Sequence, residues 1–235
     1  LLRDGKTTDA RDVFTKLLMS MPDASRPDDF ALQAVRELDQ LEKNAGAQLT
    51  EADHLLRASV YQFNRDFAGA RVHYQMVLDR FPQSGALPNA TFQIGRGFYQ
   101  ERKYDDAIKY FQRVADQFGQ SPTAREALGF LGSTYIRLKR TDDAVAAYKV
   151  LLDRFSNEPG LERAYLNIVD ALHEAGRHAE ALNWVQQTRT RFSPSRPRTS
   201  DRPRAGCRGA GARPGSRPCR GCRSAHRRAG RAARC

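Results

Sequence analysis

The chain has 235 residues, of which 40% are hydrophobic and 28% are charged, and its formal net charge is +12. No run of 18 apolar residues occurs, so we expect no membrane-spanning helix. Residues 1–192 contain 26 basic and 26 acidic side chains, whereas residues 193–235 contain 13 basic side chains and one acidic one. The excess charge therefore belongs to one terminal segment and does not indicate a specific nucleic-acid-binding surface on the rest of the chain.

The first predicted elements are two helices, near residues 7–21 and 28–44. Ala10 has the same phase as Ala70 further along, so we interpret the first helix as the second half of a truncated repeat. We expect residues 1–48 to hold this half-repeat and one extra amphipathic helix. The apolar face predicted for the extra helix consists of Phe30, Ala34, Leu38 and Leu41.

A 37-residue period then governs the chain from residue 49 to residue 192. A fixed period of this size is typical of stacked helical hairpins, and we expect four of them. The two clearest columns are Ala70, Ala107, Ala144, Ala181 and Phe81, Phe118, Phe155, Phe192.

Local signals within this region predict where its helices begin and end. Thr141 precedes two aspartates and is predicted as an N-cap, and Ser121 is predicted as the N-cap before Pro122. Gly176 is predicted as a left-handed residue after a helix. The predicted helices lie near 50–64, 66–80, 87–101, 104–117, 123–138, 141–154, 160–175 and 178–192.

Residues 193–235 have a different composition. Arg, Ala, Gly and Pro supply 31 of these 43 residues, and all four cysteines lie here. We expect a disordered tail that cannot bury a core, and interpret it as GC-rich DNA translated out of frame. The alternative is a genuine arginine-rich arm for an anionic partner, although it lacks aromatic residues that stack on bases. The Cys219–Cys222 pair lacks a second ligand pair and is interpreted as accidental.

Several columns of the repeat resemble the tetratricopeptide repeat. That pattern has a Leu-Gly pair, an aromatic residue three positions later, an alanine nine later and a further aromatic residue four after that. Ile94-Gly95, Phe98, Ala107 and Phe111 fit it closely. The resemblance implies an all-α, tetratricopeptide-like helical-hairpin solenoid forming a right-handed superhelix, which serves as a binding surface.

A narrower resemblance is to the superhelical region of soluble lytic murein transglycosylases. The segments that carry it are 163–172, 175–177 and 180–185. It implies a non-catalytic scaffold of the periplasm or cell envelope, partnered by a glycan strand of peptidoglycan or by a catalytic domain that follows Phe192 in the parent protein. Because the chain begins Leu1-Leu2-Arg3 with no Met, inside a repeat, we also expect it to be a fragment at its N-terminus.

An alternative resemblance is to adaptors of the cell envelope that mediate protein–protein interactions. Residues 81–84, with Ser121-Pro122, are similar to outer-membrane assembly lipoproteins and to the periplasmic coordinator of the Tol–Pal system. That resemblance implies a binding scaffold with no enzyme attached.

No catalytic, metal or cofactor site is predicted. The chain has no HExxH, P-loop or GxSxG motif, so we expect no enzymatic activity from it. His173 and His178 are interpreted as exposed polar residues. By analogy with the tetratricopeptide repeat, the predicted binding residues on the concave face are Phe92, Arg96, Tyr99, Gln100, Arg137, Asp170 and His173, with Ser133 and Leu166 beside them.

Overall fold

The computed structural model describes residues 7–20, 28–45, 48–119 and 121–192. All regular elements in these ranges are α-helices, and consecutive helices pack against each other. The described part of the chain is therefore an all-α, tetratricopeptide-like solenoid, as predicted. Its helices are α1 (Thr7–Met19), α2 (Asp29–Ala45), α3 (Glu51–Phe63), α4 (Phe67–Arg80), α5 (Leu87–Gln100), α6 (Tyr104–Gln117), α7 (Pro122–Arg137), α8 (Thr141–Arg154), α9 (Glu162–Glu174) and α10 (His178–Phe192).

The turn between the two helices of each pair repeats at the 37-residue period. Arg65, Arg102, Lys139 and Gly176 all have a positive φ, between 58° and 74°. In the last of these turns, Gly176 N–H donates to His173 O at 2.9 Å and Arg177 N–H donates to Leu172 O at 2.9 Å. This pattern is the Schellman motif, which satisfies carbonyl groups at the end of the first helix. The predicted role of Gly176 is confirmed, and the other three turns adopt the same backbone without glycine.

The second helix of a pair packs closely on the first because small residues face large aromatic ones. A Cβ atom at Gly95 would lie 2.8 Å from the Phe111 ring, and a Cβ atom at Gly132 would lie 2.6 Å from the Tyr148 ring. Both distances are shorter than van der Waals contact, so only glycine allows this approach. Ala107 and Ala144 are likewise fully buried on the second helices.

The extra helix α2 joins the array through a buried ion pair. Arg57 on α3 stands where the repeat pattern has an apolar residue, and it contacts Asp39 at 2.6 Å and Glu42 at 2.5 Å, both on α2. The departure from the repeat pattern at Arg57 is thus explained by the helix that precedes it. One residue of the predicted apolar face is wrong, because Phe30 is 74% exposed. Among the side chains of α2 that the structure describes, the buried ones are Ala31, Ala34, Val35 and Leu38.

Two predicted N-caps have different outcomes. Ser121 caps α7 as predicted, since its hydroxyl accepts a hydrogen bond from Ala124 N–H at 3.0 Å and Pro122 is the first helical residue. The prediction for Thr141 is wrong, because Thr141 is already helical and Arg140 is the N-cap residue. The tail at 193–235, and the predicted end of the first helix at residue 21, lie outside the described residues.

Candidate functional site

One of the predicted binding residues is not accessible. Phe92 is only 2% exposed. Its ring packs against the rings of Phe111 and Phe130, with centroids 5.7 and 5.5 Å away. The prediction that Phe92 contributes to a binding surface is therefore wrong, and its role is to pack the first helices together.

Tyr99 and Arg137 lie together, on α5 and α7. The hydrogen bond from the Arg137 guanidinium to Tyr99 raises the pKa of Arg137. The Tyr99 ring is held edge-on by Tyr104 and Phe130, each with a centroid distance of 5.6 Å. This aromatic side chain is half-buried and fixed in position, so its remaining surface is preorganised for a ligand.

The other predicted residues do not converge on one point. Arg96 is half-buried, and its Nη1 donates to Gln93 at 3.2 Å. Gln100 and Asp170 are exposed at different helices. His173 is exposed, with its Nδ1 3.2 Å from Nδ1 of His178, so the polar, exposed interpretation of this pair is confirmed.

A cavity of about 490 Å³ lies between α7 and α9, with Tyr99 of α5 at one side. This volume is within the range of roughly 300–1,000 Å³ that is common for ligand sites. We call this cavity the socket. Its lining residues are Tyr99, Arg125, Glu126, Gly129, Phe130, Ser133, Tyr148, Leu151, Gly160, Leu161, Arg163, Ala164 and Asn167.

The socket arises from small residues on α7 and from the connection that leads into α9. Gly129 and Ser133 lie one helical turn apart and leave the floor open between larger neighbours. Gly160 has a φ of 78°, a left-handed conformation that favours glycine, and it places Leu161 at the edge of the cavity. The walls are formed by Phe130, Leu161 and the buried ring of Tyr148.

A fixed polar group lies inside the socket. The Tyr148 hydroxyl is 2.9 Å from Ser133 Oγ and accepts a hydrogen bond from Asn167 Nδ2 at 2.8 Å. Burial raises the pKa of Tyr148, so the hydroxyl is neutral at physiological pH. Among the described residues, the carbonyl oxygen of the Asn167 side chain accepts no hydrogen bond. Asn167 can therefore accept a hydrogen bond from a ligand.

The mouth of the socket carries more positive than negative charge. Arg163 is exposed and has no hydrogen-bond or ion-pair partner among the described residues. Arg125 donates to the Pro159 carbonyl oxygen at 2.5 Å, a contact that leaves its charge uncompensated. Of the lining residues that the structure describes, Glu126 alone carries a carboxylate.

A second cavity, of about 520 Å³, lies where α2 meets α3 and α4. Asp39 accepts hydrogen bonds from the Tyr61 hydroxyl at 2.6 Å and from Arg57 at 2.6 Å, and it lies 3.1 Å from His73 Nε2. The Nδ1 atoms of His73 and His54 are 3.0 Å apart. These side chains bind each other and attach α2 to the array, so we assign them a structural role.

Sequence reasoning found Tyr99 and Ser133 but missed most of the socket. Two lining residues lie beside the predicted inward-facing position at Leu166: Arg163 is one helical turn before it, and Asn167 is the next residue after it. The sequence signal for an opening in this face was Gly129, because the preceding repeat has the bulky Phe92 at the equivalent position.

In the described part of the chain, no helix is long and apolar enough to cross a membrane. The same residues contain no group of three or more His, Cys, Asp or Glu side chains that could hold a metal ion.

Comparison with protein families agrees with this geometry. Two family models, both described as tetratricopeptide repeat, match residues 92–159 and 54–84. Residues 54–84 and 92–159 thus match the tetratricopeptide repeat. The tetratricopeptide interpretation is thus confirmed, whereas nothing in these matches supports the resemblance to murein transglycosylases. Among curated protein sequences, no relative matches the chain.

Solved structures share the fold at low sequence identity. A structure of MamA protein is 20% identical, with a TM-score of 0.56, and the alignment covers 81% of this chain and 97% of that one. MamA (residues 41 to the end) from Desulfovibrio magneticus RS-1 is 15% identical, with a TM-score of 0.54 and coverages of 79% and 94%. BtubC (BKLC) from P. vanneervenii is 16% identical, with a TM-score of 0.51 and coverages of 83% and 94%. These likenesses support the fold alone.

Proposed function

We propose that this chain is a non-catalytic scaffold that binds another protein through the face formed by α5, α7 and α9. The observation that carries this proposal is the socket, which opens in a face otherwise built from packed helices. Tetratricopeptide repeats at 54–84 and 92–159 support a role in protein–protein interaction. Repeat arrays are stabilised by contacts between neighbours, so they present extended surfaces without needing a catalytic core.

The polar groups of the socket suit a polypeptide ligand. The Asn167 amide is held by Tyr148 and has an unused carbonyl oxygen, which is a suitable acceptor for a backbone N–H group. Tyr99 provides a rigid aromatic surface beside it, and such residues commonly carry much of the binding energy at interfaces. A protein partner with an extended segment would use both features at once.

Site-specific photocrosslinking in cells tests this proposal with a matched pair of positions. Leu166 on α9 is 52% exposed beside the socket, and Leu182 on α10 is 63% exposed on a second helix. With benzoylphenylalanine at each position in turn, we expect a discrete protein adduct from position 166 and none from position 182. Equal crosslinking from both positions, or none from either, would argue against binding at this face.

The finer interpretation, a scaffold of a murein transglycosylase in the periplasm or cell envelope, stays a proposal that rests only on the sequence resemblance. It implies that the chain binds glycan strands but does not cleave them, because the resemblance covers only the superhelical region of that family and not its catalytic domain. Titration with muropeptides, together with a peptidoglycan-cleavage assay, tests both parts. Measurable cleavage by the chain alone would contradict the non-catalytic assignment.

A further inference from the structure

We propose that the socket takes an apolar side chain of an extended peptide segment, and that an acidic residue flanking this side chain binds Arg163 at the mouth. The inference rests on the proposed function, since it specifies the chemistry of the partner at the same face. The occupant is an acidic segment of a protein.

The interior of the socket selects an apolar group. Phe130, Leu161 and Leu151 line the cavity, and Gly129 leaves its floor without a side chain. The polar atoms inside are few, and the Tyr148 hydroxyl is already engaged by both Ser133 and Asn167, which leaves the Asn167 side-chain carbonyl oxygen as an acceptor. A charged side chain placed there would lose its hydration without finding a counter-ion, whereas an apolar one would be removed from water.

The mouth of the socket selects a negative charge. Arg163 has no hydrogen-bond or ion-pair partner among the described residues, and Arg125 donates to a backbone carbonyl group. Arg137 lies on the same face, beside Tyr99. In the lining of the cavity that the structure describes, the guanidinium groups of Arg125 and Arg163 stand against one carboxylate, that of Glu126.

This excess of positive charge is a local feature. Residues 1–192 have equal numbers of basic and acidic side chains, so no general basicity of the body explains it. Several other arginines of the array are paired with carboxylates, as Arg140 is with Asp143 at 2.7 Å and Arg71 is with Glu101 at 2.9 Å. Guanidinium groups without a counter-ion at a cavity mouth match a carboxylate in both charge and bidentate geometry.

Selection from a displayed library of random dodecapeptides tests the inference without assuming a particular partner. The protein is used as the full chain, and enriched peptides are resynthesised with a fluorescent label for anisotropy titrations. We expect enrichment of sequences with Asp or Glu next to an aromatic or aliphatic residue. Such a peptide should bind the Arg163→Glu protein at least tenfold more weakly than it binds the wild-type protein. A second peptide, with Lys in place of the acidic residue, should bind the Arg163→Glu protein more tightly than it binds the wild-type protein.

The control variant is Arg113→Glu, which makes the same change of charge at an exposed position of α6 away from the socket. It should bind the acidic peptide as wild type does. Arg163→Glu is expected to fold normally, because Arg163 is exposed in the first turn of α9, where a carboxylate is favoured.

The outcomes separate this inference from the proposed function. Enriched peptides that depend on Tyr99 but lack acidic residues would overturn the acidic partner and leave the protein-binding scaffold standing. Enriched peptides that bind Arg163→Glu as well as they bind wild type would also overturn it. If no peptide is enriched and muropeptides bind in a Tyr99-dependent manner, both proposals are wrong and the face binds glycan.

Discussion

Two glycines on α7 should respond in opposite ways to the same substitution. Gly129 and Gly132 are less than one helical turn apart, and alanine has a higher helix propensity than glycine by about 1 kcal/mol at either position. At Gly129 the nearest atom to an added Cβ is Leu151 Cδ1 at 3.8 Å, an ordinary contact. At Gly132 the added Cβ would lie 2.6 Å from two atoms of the Tyr148 ring.

The Tyr148 ring cannot move aside at low cost. It is 1% exposed, and its hydroxyl is held by Ser133 and Asn167. Overpacking of this kind costs about 1–3 kcal/mol. We therefore expect Gly129→Ala to raise the free energy of unfolding by about 0.5–1 kcal/mol, and Gly132→Ala to be about 1–3 kcal/mol less stable than Gly129→Ala.

Urea denaturation followed by far-ultraviolet circular dichroism measures both variants against wild type. The difference between the two midpoints, at an unchanged slope, gives the cost of the contact with Tyr148, since the propensity gain cancels. Equal shifts for the two variants would refute the reasoning, because they would show that α7 and α8 do not approach each other closely at Gly132.

Three other predictions concern stability. Lys139→Gly should stabilise the chain by about 0.5–1 kcal/mol in urea denaturation, because glycine removes a cost of roughly 1–2 kcal/mol for the left-handed backbone at φ 58° and adds an entropy cost of about 0.5–1 kcal/mol; no gain would mean that this turn is unstrained. Ala144→Leu should cost about 1–3 kcal/mol in the same assay, since Ala144 is fully buried, and an unchanged curve would contradict its burial. Burial lowers the pKa of His54, so the unfolded chain binds a proton that the folded chain does not. Stability should therefore fall as the pH is lowered below about 6.5, and a His54→Leu variant compared across pH should lack part of this fall; the same fall in both would exclude His54 as its source.

The helices could be predicted from the sequence because the same columns of small and large residues recur in each repeat. Ala107 and Ala144 mark the small column, Phe111 and Tyr148 the large one, and the period links them. Where a residue departed from the repeat pattern, the sequence did not reveal which partners stabilise it. Arg57 is the example, since its partners Asp39 and Glu42 lie on a helix outside the repeats.

The candidate site was only partly predictable because it depends on the spaces between repeats. The analogy that placed Tyr99 on the binding face also placed Phe92 there, but Phe92 packs against Phe130 and is buried. The socket requires the connection through Gly160 to set the position of α9 against α7, and no column of the repeat encodes that distance. Arg163 lines the socket only because α9 is held in this position against α7.

The central claim is that a protein partner binds at the socket face, and Tyr99→Ala tests it most directly. The measurement is the dissociation constant of the partner identified by crosslinking at position 166, titrated against wild type and Tyr99→Ala. We predict that the variant binds about tenfold more weakly or worse, which corresponds to at least about 1.4 kcal/mol. An unchanged dissociation constant, with the variant folded as wild type, would contradict the account and place the binding surface elsewhere on the array.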